Sequence, residues 1–213
     1  MIFKLRDQIK FADLSQDFNP MHCDKILARR LIYGEPVVHG INAMIHGIAV
    51  WSREFNSTFL IKNLKCRFNK PLYLNQKIDY KITSVGDVSI ISISQNQAVR
   101  LKIRLEVNLG QPSFIPHRRQ DAHTSTLPDN KTLDQLRDVS KVVDCSIDKG
   151  LAEEIYGKSF IEKIGFGQLA ELVSYSRIVG MHTPGLNSIF SELYIEYIMA
   201  TLKKNVEFKV SNV

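Results

Sequence analysis

The pattern of apolar positions changes character along the first half of the chain. In residues 40–55 apolar side chains occupy almost every helical face, which is typical of a helix buried in the middle of its domain. Residues 59–68 alternate loosely, and three later segments alternate apolar and polar residues at every second position, as half-buried strands do. Those three segments are residues 78–85, 88–94 and 99–108. The pattern predicts a long central helix followed by an antiparallel meander, which is an α+β architecture.

Shorter segments flank the central helix. Residues 11–14 read as a strand that leads into a turn rich in Ser, Asp, Asn and Pro. Residues 22–31 are expected to form a short helix with Ile26, Leu27 and Leu31 on its apolar side. Turns or hairpin connections are expected at residues 71–75, 86–87 and 95–97.

A polar segment separates the two halves of the chain. Residues 110–148 hold several prolines, many polar groups and few apolar anchors, with a short helix expected near 133–139. We therefore divide the chain into a first domain at 1–110, a linker at 111–148 and a second unit at 149–213.

The second unit repeats the order of the first. A second helix begins at Gly165 and ends near Gly180, and residues 188–197 read as a strand. Placing Gly165 on Gly40 brings this strand within a few residues of 59–68, so we infer a weak internal repeat. The stretch after Gly165 is too short for a full meander, which would leave an unpaired edge. We therefore expect either a longer polypeptide or a partner that covers this edge.

The composition excludes several classes of protein. The chain has 44% apolar and 23% charged residues, which is ordinary for a globular domain, and no long apolar run predicts a membrane span. Its net charge of +6 comes from scattered basic residues, which argues against a nucleic-acid interface. A solvated basic surface explains this charge, and a phosphate-bearing arm or an acidic carrier protein would also suit it.

The N-terminus and the cysteines indicate a cytoplasmic protein. The first residues lack the apolar stretch and the cleavage site of a signal peptide. Cys23, Cys66 and Cys145 lie far apart, and this odd count without paired spacing argues against disulfides and a zinc site. No metal-ligand spacing or glycine-rich phosphate loop is present, so we expect no metal.

Asp17 and His22 form the first candidate constellation. They lie five residues apart across a turn that enters a helix, so their side chains can converge on one small volume. A carboxylate and an imidazole can hydrogen-bond to one water molecule. Asp17 would then take a proton from this water, and His22 would donate a proton to another atom. On spacing alone, an aspartate that merely caps the helix beside an Asn19-Pro20 turn is the favoured interpretation, and the catalytic one stays open beside it.

His39-Gly40 is the second candidate feature. A glycine at the start of a buried helix lets a substrate approach the backbone closely. The free N–H groups of that first turn would point at an oxygen that bears developing negative charge, such as a thioester carbonyl. A simple helix N-terminus explains the same two residues.

Taken in order, these residues resemble the signature of the MaoC-like, or (R)-specific enoyl-CoA hydratase, family. Twelve positions match that signature: Phe11, Ala12, Ser15, Asp17, Asn19, Pro20, His22, Asp24, Ala28, Gly34, His39 and Gly40. Residues 67–73 also resemble the strand and turn that precede the meander in this family. The resemblance covers roughly residues 1–110 and implies a hot-dog fold, in which an antiparallel sheet wraps a long central helix.

The resemblance also implies the roles of individual residues. Asp17 and His22 would be the catalytic pair, and the backbone N–H of Gly40 would bind the thioester carbonyl. We place Asn19, His39 and Ile41 in substrate binding. Two departures concern the pocket: Gln16 replaces a common glycine, and the serine that some members carry in the central helix is not found near Ile48.

The expected assembly follows from the second unit. It lacks an Asp-x-x-x-x-His arrangement, and its His182-to-Ser188 stretch is similar to a degenerate half of double-hot-dog proteins. Two hot-dog units in tandem would therefore form a pseudo-dimer, and a homodimer is the other expectation. No separate cofactor is expected, because coenzyme A or a phosphopantetheine arm would be part of the substrate.

Three functions remain open. The first is hydration and dehydration of 2-enoyl and 3-hydroxyacyl thioesters, carried on coenzyme A or on an acyl carrier protein. The second is a hot-dog thioesterase, which would send water to the carbonyl carbon. The third is a non-catalytic acyl-binding or partner-binding module. Outside the signature, His46 is read as a core histidine, and a nucleophilic pair of Cys23 with His22 is disfavoured because neighbouring helical side chains diverge.

Overall fold

A computed structural model describes most of the chain. The described residues are 1–110, 127–132, 135, 140–183, 185–186, 189–197 and 205–209. Seven α-helices lie in these ranges: α1 (Leu5–Ser15), α2 (Pro20–Cys23), α3 (Lys25–Ala28), α4 (Gly40–Trp51), α5 (Lys149–Tyr156), α6 (Lys158–Ile164) and α7 (Phe166–Arg177). The described strands are β1 (Phe59–Phe68), β2 (Asp79–Val85), β3 (Val88–Gln95), β4 (Ala98–Leu109), β5 (Ser140–Asp144), β6 (Glu192–Glu196) and β7 (Asn205–Lys209).

One antiparallel sheet joins both halves of the chain. Its strand order is β2-β3-β4-β1-β6, so the meander of the first half continues into β6 from the second half. β6 pairs with β1 in a register that places Leu64 opposite Ile195. β5 and β7 pair with each other in a separate two-stranded sheet. The central helix α4 packs against β3 and β4 on one side and against α7 on another.

The central helix and the meander confirm the α+β prediction. Ile41, Met44, Ile45 and Ile48 of α4 are fully buried, as expected for a helix that is apolar on most faces. All four predicted strands of the first half are present, with ends that differ by a residue or two. Asn96 and Gln97 form the tight β3–β4 turn and both have positive φ, which is the geometry of a type I′ hairpin turn.

Two local predictions before the central helix were wrong. Residues 11–14 belong to α1, because Gln8, Phe11, Ala12 and Ser15 are buried at helical spacing. A window of four residues is too short to separate this period from that of a strand.

The predicted helix at 22–31 was also wrong in extent. It divides into α2 and α3 at Asp24, whose carboxylate accepts the backbone N–H groups of Ile26 and Leu27. Ile26 and Leu27 are exposed, whereas the sequence pattern placed both on the apolar side of the predicted helix.

The second half contains the predicted helix and strand. α7 begins one residue after Gly165 and continues into a π-helical turn, Ile178–His182, which agrees with an end near Gly180. β6 lies within the predicted strand. The helix expected near 133–139 lies almost wholly outside the described residues, and β5 occupies the end of the segment assigned to the linker. The domain boundaries stay a prediction.

His46 supplies a prediction about stability and pH. Its ring lies on α4 between Phe3 (ring centroids 5.2 Å apart) and Tyr156 (5.0 Å). Burial lowers the pKa of His46 to about 4, from an ordinary value of 6.5. The folded state therefore favours the neutral ring, so this contribution to stability is complete above pH 6.5 and declines as the pH falls towards 4. Between neutral pH and pH 4.5, the protonation of His46 should therefore lower the free energy of unfolding by roughly 2–3 kcal/mol.

We expect His46→Phe to remove that dependence. Urea unfolding of both proteins at pH 7 and pH 4.5 gives the loss of unfolding free energy for each, and the wild type should lose roughly 2–3 kcal/mol more. Each protein is its own reference at pH 7, so a constant cost of the substitution cancels. Equal losses of unfolding free energy in the two proteins would contradict the lowered pKa of His46.

Candidate active site

Asp17 lies buried at the junction of the two halves. After α1 ends, Gln16 adopts a left-handed conformation (φ 59°) that turns the chain towards the core. Asp17 is 2% exposed, and its two carboxylate oxygens accept the backbone N–H of Asn19 (3.2 Å) and the hydroxyl of Ser176 (2.7 Å). Burial raises the pKa of Asp17, and the nearby His22 together with these two hydrogen bonds opposes that rise.

His22 lies on α2 at the wall of a cleft. Its Nδ1 lies 2.9 Å from the carbonyl oxygen of Val37, and because a carbonyl only accepts, Nδ1 carries the hydrogen. Nε2 is then the basic nitrogen of the ring. Burial lowers the pKa of His22, against the opposing effects of Asp17 and the Val37 bond. The ring is therefore neutral near pH 7 and able to accept a proton.

His39 lies behind this pair as the N-cap of α4. Its ring is fully buried and stacks on His22, with centroids 3.9 Å apart and planes inclined by 29°. Nδ1 lies 3.0 Å from the Gln8 side-chain oxygen, which also accepts the backbone N–H of His39. Nε2 lies 3.2 Å from the backbone oxygen of Asp17. Both ring nitrogens thus face protein atoms, and burial holds the pKa of His39 well below 6.5.

Gly40 is the first residue of α4 and lines the cleft. The first helical hydrogen bond runs from Ala43 N–H to the His39 carbonyl, so the N–H groups of the first turn have no partner within the helix. A Cβ on Gly40 would lie 2.8 Å from the Phe68 ring. The side chain of Ile41 is fully buried in the core and is not part of the cleft wall.

Asn19 joins the segment after α1 to the second half. Its side-chain oxygen accepts the N–H of Met21 and so caps α2. Its amide nitrogen donates to the carbonyls of Gly180 (3.2 Å) and Leu186 (3.4 Å). Nearby, the N–H of Phe18 donates to the Met181 sulfur at 3.2 Å. The side chain of Asn19 therefore fixes the position of the loop that carries Asp17.

Two residues of the second half contact Asp17 directly, and neither was expected from the sequence. Ser176 on α7 donates to its carboxylate, whereas the serine that some members of the family carry was expected on the central helix near Ile48, where none is found. Gly180 lies so close that a Cβ would be 2.3 Å and 2.5 Å from the two Asp17 carboxylate oxygens. Gly180 belongs to the π-helical turn, a distortion that is frequent at functional sites. No periodic pattern distinguishes either position from its neighbours.

The cleft runs from Asp17 and His22 to the surface and holds about 650 Å³ of empty space, including its open end. The exposed Lys70 and the partly exposed Tyr33 also line it, whereas most of its wall is apolar. The apolar wall residues come from both halves: Met21, Val37, Val38, Phe68, Leu72, Leu101, Val179, Ile189 and Phe190. A mainly apolar cleft with a few polar groups suits an acyl chain whose reactive end reaches Asp17.

Asp17, His22 and His39 are also the only group of possible metal ligands among the described residues, with one donor atom of each within 4.8 Å of the others. The two rings stack, so their in-plane lone pairs point side by side and do not converge on one point. The two nitrogens of His39 face the Gln8 side-chain oxygen and the Asp17 backbone oxygen at 3.0 Å and 3.2 Å, so neither faces open space. The arrangement suits proton transfer better than metal binding.

None of the helices in the described ranges has the length and apolar composition that crossing a bilayer requires.

Comparisons with known proteins give a matching family model and solved structures of similar fold. Residues 4–107 match the family model of the MaoC-like domain. A solved structure of a MaoC-like dehydratase aligns with 100% of this chain and 86% of its own, at 13% identity and a TM-score of 0.60. The sequence matches none of the curated proteins with which it was compared.

Two further solved structures give lower scores. The (R)-hydratase from A. caviae involved in PHA biosynthesis is 20% identical over 52% of this chain and 90% of its own, with a TM-score of 0.45. RV0216 of Mycobacterium tuberculosis, which has a double hotdog fold, is 10% identical over 82% of this chain and 61% of its own, with a TM-score of 0.47.

The fold and the site together define the class of this protein. It has a hot-dog fold, with an antiparallel sheet, a central helix and a second helix beside it from the second half. Residues 4–107, slightly less than half of the chain, are similar to the MaoC-like domain, a family that includes hydratases and dehydratases.

Proposed function

We propose that this protein catalyses the reversible hydration of a 2-enoyl thioester to a 3-hydroxyacyl thioester. The observation that carries the proposal is the meeting of Asp17, His22 and the N-terminus of α4 at the inner end of one apolar cleft. A hydratase needs groups that activate water and donors that stabilise an enolate, and these three features supply both.

In the proposed reaction one water molecule lies between the Asp17 carboxylate and His22. The two side chains are close enough for a single water to contact both. His22 Nε2 is the unprotonated nitrogen, so it takes the proton while the water oxygen forms a bond to C3 of the enoyl group. Asp17 orients the water and compensates the positive charge that develops on His22. These roles differ from the sequence-based expectation, in which Asp17 takes the proton.

Bond formation at C3 moves the π electrons of the double bond towards the thioester carbonyl. The Gly40 N–H, at the positive end of the α4 dipole, receives the resulting enolate oxygen. The His22 imidazolium then returns its proton to C2, which completes the 3-hydroxyacyl product and restores the neutral ring. Atoms and charge balance without an added cofactor, because coenzyme A or a phosphopantetheine arm enters as part of the substrate.

In this proposal the second half replaces the partner subunit of a hot-dog dimer. Its Ser176 helps to hold Asp17 in position, and its Val179 and Phe190 form part of the apolar cleft wall. The domain at 1–110 carries the reacting groups, and the unit at 149–213 completes the cleft. Because hot-dog units pair side by side, one chain would then form a complete site as a pseudo-dimer.

A product assay tests the proposal directly. With crotonyl-pantetheine and longer 2-enoyl thioesters, we expect the absorbance of the conjugated thioester to fall while no free thiol is released. Release of free thiol in step with substrate loss would instead identify a thioesterase. Tight acyl-thioester binding without turnover would identify an acyl-binding module.

Ser176→Ala tests the contribution of the second half to the reaction. The lost hydrogen bond ends on a charged group and is worth about 1.5–3 kcal/mol, so we expect kcat to fall roughly 10- to 100-fold with a smaller change in KM. Because this hydrogen bond lowers the pKa of Asp17, its removal should raise that pKa. The acid limb of the kcat profile should therefore move to higher pH.

Ser174→Ala is the matched control for that variant. Ser174 is buried on the same helix, but its hydroxyl donates to the Glu171 carbonyl and does not contact Asp17. It should retain kcat and the wild-type pH profile. Equal effects of the two substitutions would mean that α7 acts through packing alone.

A further inference from the structure

The segment between His22 and Tyr33 exposes an unusual set of side chains. Three large apolar residues point to solvent: Ile26 (72% exposed), Ile32 (71%) and Leu27 (45%). Interleaved with them are three exposed cations, Lys25, Arg29 and Arg30. We name these six residues the α3 surface. Burying the three apolar side chains against a partner would be favourable, because it removes apolar area from water.

The charges on this surface indicate the nature of its partner. None of the three cations forms an ion pair with another residue in the described part of the chain. A second copy of this chain is disfavoured as the occupant, because each copy carries a net charge of +6. An acidic surface with apolar positions of its own complements the α3 surface in both charge and polarity.

The position of the α3 surface beside the cleft indicates which kind of acidic partner would bind there. Its segment directly follows the proposed catalytic residue His22 and ends at Tyr33, which lines the cleft together with the exposed Lys70. A protein seated here would hold a tethered substrate beside the cleft, with Lys70 available to the phosphate of the tether. α3 has four residues, which is too short for the amphipathic helix that would lie on a membrane.

We propose that the α3 surface docks an acidic acyl carrier protein, which delivers the enoyl group into the cleft on its phosphopantetheine arm. This inference rests on the proposed hydratase function and specifies its substrate as a protein-bound thioester. Docking would add binding energy outside the cleft and raise kcat/KM for the carrier-bound substrate above that for the free thioester.

The experiment compares one enoyl group on two supports. Crotonyl-pantetheine reports the chemistry alone, and crotonyl on a type II acyl carrier protein reports chemistry with docking. For the wild type we expect kcat/KM to be at least about tenfold higher on the carrier protein and to fall with added salt. Arg29→Glu with Arg30→Glu should lower kcat/KM on the carrier protein at least tenfold, mainly through KM. The same double variant should leave turnover of crotonyl-pantetheine unchanged within about twofold.

A second double variant is the matched control. Lys81→Glu with Lys102→Glu makes the same charge change on exposed positions of β2 and β4. It should behave as the wild type on both substrates. Ile26→Ser tests the apolar part of the α3 surface without a change in charge, and it too should impair only the carrier-bound substrate.

The outcomes separate this proposal from the one on which it rests. Turnover of crotonyl-pantetheine with no advantage for the carrier protein would overturn docking and leave the hydratase intact. No turnover of either thioester would overturn the hydratase and the docking proposal with it. Equal carrier kinetics in the wild type and the α3 double variant, together with α3-dependent binding to phosphatidylglycerol vesicles, would assign the surface to a membrane instead.

Discussion

Asp17→Asn is expected to lower kcat of the proposed hydration by about 10³-fold, and His22→Gln by a similar factor. General acid–base groups contribute about 10²- to 10⁴-fold; His22 is proposed to transfer the proton, and Asp17 to orient the water and compensate the charge on His22. Asparagine keeps the shape of Asp17 and can still accept the Ser176 hydroxyl, but it cannot compensate the charge of a protonated His22. KM should change less than kcat, because the substitutions leave the apolar wall of the cleft unchanged.

Thermal unfolding distinguishes a catalytic role from a structural one. Because burial raises the folded-state pKa of Asp17, its contribution to stability is complete below its unfolded value near 3.8 and is lost as the pH rises through the folded value. Ionising this carboxylate in the folded state therefore costs stability. Asp17→Asn should leave Tm unchanged or raise it while activity is lost, as is common at functional sites.

Asp13→Asn is the control for the same chemical change. Asp13 is exposed on α1, four residues before Asp17, and is not part of the cleft wall. Its variant should keep both kcat and Tm. If Asp17→Asn and His22→Gln both retained more than a tenth of wild-type kcat, the assignment of the pair would be wrong.

Gly180→Ala is expected to lower kcat at least about 100-fold, although the substitution adds a single methyl group. That methyl carbon would lie 2.6 Å from the Asp17 carboxyl carbon and closer still to its oxygens. The carboxylate must then leave its position against Ser176, or the π-helical turn must move away. Either shift misplaces the group that orients the water. An overpacked core costs about 1–3 kcal/mol, so Tm should fall as well.

Gly47→Ala separates the loss of stability from the loss of activity. Gly47 lies on α4, where a Cβ would meet the terminal methyl carbons of Ile93 and Ile103 at 3.0 Å, in the core and outside the cleft wall. This variant should change Tm while retaining kcat. Full activity in Gly180→Ala would mean that the second half does not hold Asp17 in the position described.

Features that repeat at a short period could be predicted from the sequence. The apolar run of α4 and the alternation of β2, β3 and β4 each span several repeats, so packing and pattern agree. The Asp17–His22 spacing and the glycine that begins α4 are also local. On spacing alone they left a capped turn and a plain helix start open, and their ordered neighbours from Phe11 to Gly40 gave them a specific chemical meaning.

Short segments were less predictable because local signals compete there. Residues 11–14 resembled a strand until the full span of α1 showed helical spacing of its buried residues. Ile26 and Leu27 resembled the buried side of a helix, yet Asp24 ends one helix and caps the next, which turns both side chains to solvent. Sequence patterns assume that apolar residues are buried, so they miss a surface whose apolar residues are exposed.

The sequence by itself therefore determined the central helix, the meander, and a carboxylate and an imidazole placed to meet near a helix N-terminus. Only the tertiary structure decided what completes that site. Ser176 lies 159 residues from Asp17 along the chain, and Gly180 reaches the same carboxylate from a π-helical turn. Contacts at such separation leave no period or motif in the sequence. They arise because β6 extends the sheet beside β1 and α7 packs against α4, and this packing brings the second half to the open side of the Asp17 loop.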